Sequence, residues 1–114
     1  METRIWTNGS IYILDIQGDI HYVDSNRLKD MVMKMIGKKV ECLIINASRI
    51  KSIDSSGIGA FIYISSTLKK LGMSLAIANV SAALGQVMDK TKLVSYFPIY
   101  KNINEAVEKF SQEQ

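Results

Sequence analysis

The chain has 114 residues, 47% of them hydrophobic and 22% charged, with a formal net charge of +3; that is ample apolar material for one core and too little charge for disorder. No apolar run approaches the roughly 20 residues of a membrane span, and the opening METRIWTNGS lacks the apolar stretch of a signal peptide. The single cysteine, Cys42, excludes an internal disulfide, so the expectation is one domain over residues 1–114, cytoplasmic and without membrane insertion.

RIWTNGSIYILDIQG reads as a hairpin, because Asn8-Gly9 suits a two-residue turn with positive φ at both positions. In its second arm, Tyr12, Leu14 and Ile16 alternate with Ile11, Ile13 and Asp15 and are expected to face the core. Asp24 or Ser25 then caps a helix in which Leu28, Met31, Val32, Met35 and Ile36 recur at spacings of three and four, and Gly37 stops it. VECLIINA, Val40–Ala47, is a short apolar run with a β-branched bias, which predicts a central parallel strand buried on both faces. Ile58, Phe61, Ile64, Leu68 and Leu71 form the next helical stripe, expected to be buried and closed by Gly72. MSLAIANV is another buried strand, and SAALGQVMDKTKLV a short helix with Leu84, Val87 and Met88 inward. YFPIY is a last strand that Pro98 confines to a sheet edge. Asn102 with Glu105 has capping-box spacing for a final helix burying Ile103, Ala106, Val107 and Phe110, and SQEQ reads as a frayed tail. The order β-β-α-β-α-β-α-β-α predicts an α/β fold, a mainly parallel sheet of four to five strands with crossover helices. Lys38-Lys39, Lys69-Lys70, Lys90 and Lys92 fall at the ends of predicted helices, where cations complement the negative pole. No aromatic stacking pattern accompanies them, so direct nucleic-acid binding is not expected.

The informative stretch is SRIKSIDSSGIGAF, Ser48–Phe61. Its core, Asp54–Gly59, places an acid, two hydroxyls and two glycines where the strand gives way to a helix. Asp54 or Ser55 is well placed as an N-cap, which any helix start would favour. A cap explains less well the second hydroxyl, Ser56, and the two glycines, Gly57 and Gly59. Glycine in a helix costs roughly 0.5–1 kcal/mol relative to alanine. Its gain is a bare backbone that a neighbouring element or another protein can approach. Enzymatic readings fit poorly: no lysine follows the glycines as in a P-loop, and both serines precede the glycine, unlike a nucleophile elbow. The single His21 is distant in sequence, lacks an evident orienting partner and reads as a surface residue; Cys42 reads as core filler, with no metal-ligand spacing around it. No metal and no cofactor are therefore expected, and a small nucleotide-binding enzyme has only the α/β architecture in its favour. What remains is a serine that receives chemistry. A phosphoryl group adds a charge of about −1.5 to −2, which a helix N-terminus accommodates.

Taken together, SRIKSIDSSGIGAFIYISSTLKKLGMSLAIANVSAALGQVMDKTKL closely resembles the STAS domain of bacterial anti-sigma factor antagonists. The marks are an apolar strand, a short loop, D-S-[ST]-G-[LI]-G, an amphipathic helix, a Gly turn, a strand, then a helix ending near an Asp before a Leu. Gly18-Asp19-Ile20 matches the family's G-[ED]-[LI]-D turn, with His21 in place of the usual last Asp. The resemblance implies a non-enzymatic binding protein. Its dephosphorylated form would bind an anti-sigma factor, itself a serine kinase, and release the sigma factor; phosphorylation would end that binding and a serine phosphatase restore it. The implied acceptor is Ser55 rather than Ser56. The implied partner-binding set is Asp54, Ser55, Ser56, Gly57 and Gly59 with Asp19 and His21. The alternative is a STAS-like regulatory subunit of a membrane transport complex of the lipid-transport ABC type, with no phosphorylation cycle.

Overall fold

A computed structural model describes residues 1–36, 40–92 and 97–112. The expected order holds: β1 (Glu2–Asn8), β2 (Ile11–Ile20), α1 (Tyr22–Ile36), β3 (Cys42–Ile53), α2 (Ser55–Lys70), β4 (Ser74–Ala78), α3 (Ala82–Thr91), β5 (Ile99–Tyr100) and α4 (Ile103–Gln112). The sheet has five strands in the order β1-β2-β3-β4-β5. β1 is antiparallel to β2, and every other neighbouring pair is parallel. Each crossover advances one strand in the same direction, so a constant right-handed connection sends α1, α2 and α3 to one face. Their buried residues join Leu14, Ile16, Leu43, Ile45 and Ile77 in the larger core. α4 lies on the other face, over a smaller cluster of Ile11, Ile13, Cys42, Ile44, Ala76, Ala78 and Ala106.

This second layer corrects the reading of β2. Leu14 and Ile16 face the larger core as expected and Tyr12 is half-buried against it, but Ile11 and Ile13 are buried too, under the α4 layer. An interior strand covered on both faces loses its alternation. The hairpin turn also lies one residue later than expected. Asn8 pairs with Ile11, leaving Gly9-Ser10 as the loop, and Gly9 alone takes positive φ, +62°. Glycine at the first central position is the type II′ pattern.

α1 begins at Tyr22, so Asp24 and Ser25 lie inside its first turn rather than before it. Asp24 Oδ2 accepts the His21 N–H at 3.0 Å, which closes the helix start from within. β3 continues to Ile53 and so takes in Ser48–Ile53, the short loop that the resemblance implies. Two register shifts against β2, between Asp15 and Gln17 and between Gly18 and Asp19, insert extra residues in β3. Those bulges place Ala47, Ile50 and Ile53 in the same core at spacings of three. Asn46 donates to Asp15 (3.2 Å) and accepts from Asn79 (3.0 Å), a polar chain from β2 across β3 that resists a register slip.

α2 buries Phe61, Ile64 and Leu68, with Ile58 packed at the margin. Leu71 departs from expectation: it is 53% exposed, because the helix ends at Lys70 and the C-cap residue leaves the stripe. Gly72 follows at φ +74°, as a helix stop requires. In α3, Leu84 and Met88 are buried and Val87 half-buried. β5 is an edge strand of two residues beside Pro98. Asn102 Oδ1 accepts the Glu105 N–H at 2.8 Å and starts α4, where Ala106 is buried and Ile103, Val107 and Phe110 pack partly buried. Gly37, Lys38-Lys39, Tyr96 and the last two residues of SQEQ lie outside the described residues.

Candidate functional site at the ends of β2 and β3

β2 and β3 run side by side to their last paired residues, Ile20 and Ile53, and each then turns into a helix. The Asp54 N–H donates to the Ile20 carbonyl at 3.1 Å, tying the two turns together. Asp19–His21 and Asp54–Gly57, remote in sequence, therefore become neighbours.

The cap of α2 is Asp54. Its backbone is extended (φ −95°, ψ −178°) and its Oδ1 accepts the Gly57 N–H at 3.0 Å. Ser55 is thus the first helical residue, and it is exposed; Ser56 beside it is half-buried. The two glycines have different reasons. A Cβ on Gly57 would stand 2.6 Å from Ile53 Cγ1 and 2.8 Å from Ile20 Cγ2, so a bare backbone lets the helix start press on the two strand ends. A Cβ on Gly59 would meet nothing within 4 Å, and Gly59 is exposed. No contact within the chain calls for glycine there.

Asp19 is fixed by Ser52, whose hydroxyl donates to Oδ1 at 2.6 Å. That bond holds the Asp19 carboxyl below the usual carboxylate range; desolvation opposes it, and the charges of His21 and then Lys51 add smaller lowering effects. His21 itself is exposed. Of the residues singled out in the sequence, Asp19 and His21 on one turn and Ser55 and Gly59 on the next are exposed, Asp54 and Ser56 are half-buried between them, and Gly57 is buried beneath.

Two groups of residues at this site were not anticipated. Ser52 orients Asp19 from the bulged end of β3, a segment whose polar residues resemble a loop. Tyr22 and Val23, 74% and 80% exposed, follow His21 directly on the first turn of α1; both fall outside the Leu28, Val32, Met35 stripe, which was the available signal. Chemically, the site offers a hydroxyl at a positive helix end, with unpaired backbone N–H groups nearby to meet an anion. Among the described residues, no group of three or more His, Cys, Asp or Glu side chains is placed to hold a metal ion.

A family model, STAS domain, matches residues 3–106. The fold is similar to that of a putative anti-sigma factor antagonist from Thermotoga maritima, 20% identical, with 94% of this chain and 92% of that chain covered and a TM-score of 0.86. It is similar also to the anti-sigma factor antagonist SpoIIAA in its unphosphorylated form, 15% identical over 97% of each chain, TM-score 0.83. The Bacillus SpoIIAA in its phosphorylated form matches at 16% identity, covering 96% of this chain and 99% of that one, TM-score 0.75. Among curated sequences, a probable sulfate transporter 3.4 of Arabidopsis thaliana is 23% identical over 109 residues, 83% of this chain. The chain spans 17% and 18% of the length of the two Arabidopsis sulfate transporters it matches.

Proposed function

The chain belongs to the STAS domain family, and on that premise we propose that it is an anti-sigma factor antagonist whose partner binding is switched by phosphorylation of Ser55. The observation that carries the reading is the exposed Ser55 at the first position of α2, directly after the capping Asp54 and beside the Asp19–His21 turn. The partner is an anti-sigma factor that is a serine kinase. In the transfer step the Ser55 oxygen bonds to the γ-phosphorus of the kinase's ATP, the bond to ADP breaks, and the serine proton passes to a base of the kinase. The product adds about two negative charges to the contact surface, where an unpaired charge opposes docking. The helix N-terminus tolerates the same charge, so the fold survives while binding is lost. A serine phosphatase restores the hydroxyl. Asp54, Ser56, Gly59, Asp19 and His21 complete the contact surface, and the buried Gly57 supports it by letting the helix start close on the strand ends. The chain works in the cytoplasm as a binding protein and carries no catalytic residue of its own.

Labelling with radioactive ATP and the purified partner kinase tests this. Ser55→Ala is expected to abolish labelling and keep partner binding, while Ser56→Ala is labelled normally. Ser55→Asp is expected to lose partner affinity with little change in melting temperature. Equal labelling of the native chain and Ser55→Ala would move the acceptor elsewhere.

The sulfate transporter relatives favour a second reading, a regulatory domain or subunit of a membrane transport complex. No helix among the described residues is long and apolar enough to cross a membrane, so the membrane part would be another segment or chain. Recovery of a transport protein, with Ser55 unmodified and no kinase, in a pull-down from native lysate would select it.

A further inference from the structure

β1 is the outer strand of the sheet and, among the described residues, is paired with β2 alone. Every residue of it except Thr3 is exposed, including Ile5 at 44% and Trp6 at 42%. The hairpin fixes which backbone groups face outward. A two-residue loop is closed by a hydrogen-bonded pair, here Asn8 with Ile11, and antiparallel ladders alternate bonded and non-bonded pairs. Trp6–Ile13, Arg4–Asp15 and Glu2–Gln17 are then bonded pairs. Thr3, Ile5 and Thr7 accordingly turn both N–H and C=O away from the sheet. Proline and bulges, which elsewhere protect such edges, are absent from β1.

We propose that β1 pairs with β1 of a second copy of this chain, antiparallel and two-fold symmetric about Ile5. A two-fold axis joining two antiparallel edge strands stands perpendicular to the sheet, so each register is centred on one residue. Centring on Ile5 sets Ile5 opposite the partner's Ile5 and Thr3 opposite the partner's Thr7. Those are the outward-facing residues, and all their N–H and C=O groups find partners. The same register sets Arg4 opposite the partner's Trp6, twice, a guanidinium against an indole, and Thr–Thr pairs on the other face. Centring on Arg4 would oppose two guanidinium groups. Centring on Trp6 would carry Thr3 past the end of the partner strand. This self-complementarity is why the occupant is a second copy and not an extended segment of another protein. The pairing involves no residue of the Ser55 site, so it goes beyond the phosphorylation switch and stands or falls independently of it. An interface built on one strand of seven residues belongs at the small end of specific interfaces, which begin at roughly 1,200 Å² of total buried surface. The dimer is therefore concentration-dependent.

Sedimentation of the full chain from low micromolar to millimolar concentration tests the proposal. A shift from one to two chain masses is expected. Ile5→Pro removes an outward N–H and leaves the bonds to β2 in place, so it should fold, by circular dichroism, and stay at one chain mass throughout. Ile5→Lys sets two like charges on the axis and is expected to do the same, which keeps the test open if the proline variant does not fold. A native chain that stays monomeric throughout overturns the proposal. So does a folded Ile5→Pro or Ile5→Lys variant that associates as the native chain does.

Discussion

Two parallel strands end side by side, and their helix starts are built differently. At α1 the polar residues are spent on the fold: Asp24 and Ser25 are 8% and 7% exposed, one accepting the His21 N–H and the other bonded to the Tyr22 carbonyl. At α2 one acid suffices, and the hydroxyl of the next residue, Ser55, faces solvent. A hydroxyl in the first turn is thus structural in one case and available in the other. Both serines directly follow an aspartate, and it is exposure and capping geometry that separate them.

The contrast can be broken most forcefully at Gly57. Gly57→Ala drives a methyl group into two β-branched side chains attached close to their backbones. Overpacking of this kind costs about 1–3 kcal/mol, more than alanine regains in helix propensity. Thermal and urea melts should show the loss, and a variant as stable as the native chain would mean that the two strand ends are not tightly held. Next come the two acids. Asp24→Ala and Asp54→Ala should each lose about 1 kcal/mol, as caps do. Only Asp54→Ala should also lose labelling or partner binding, since only that acid fixes the turn beside the proposed acceptor. A parallel loss in Asp24→Ala would erase the distinction between the two starts.

Gly59→Ala gives a smaller effect of opposite sign. With open space around the new methyl group, stability should rise by about 0.5–1 kcal/mol. Loss of partner affinity in that more stable variant would identify Gly59 as a contact residue. The smallest effect concerns Asp19. Its folded-state pKa lies below the ordinary value of 3.8. Its ionisation therefore favours the folded chain above that pH, and the benefit is lost as pH falls through the lowered value. Ser52→Ala should raise the Asp19 pKa towards 3.8 in an NMR titration, because the Ser52 hydrogen bond is the largest cause of the shift. An unchanged titration would remove Ser52 from the site.

These same residues mark what the sequence made legible. Phe61, Ile64 and Leu68 announced a helix through spacing alone, and Asp54 announced its start to within one residue. Ser52 stayed hidden because the bulges of β3 break the alternation by which a strand is recognised, so Ser48–Ile53 looked like a loop. The alternation in β2 points only Tyr12, Leu14 and Ile16 to a core, because nothing local reports that α4, some ninety residues later, returns to cover Ile11 and Ile13. Gly57 could be flagged as unusual, but its two isoleucine neighbours come from different strands. Only the assembled sheet identifies them.

The far edge of the sheet sets a limit on growth. β5 has two residues, and the carbonyls of Pro98 and Tyr100 accept N–H groups from the β4 side, leaving Ile99 alone to turn outward. An edge that short templates no further strand. A sheet extended through β1 consequently ends in β5 at both extremities, and stacking by strand addition halts at a closed pair. The molecule has one adhesive margin and one blunt margin, a geometry that permits a discrete particle and withholds the repeating contact that a fibre requires.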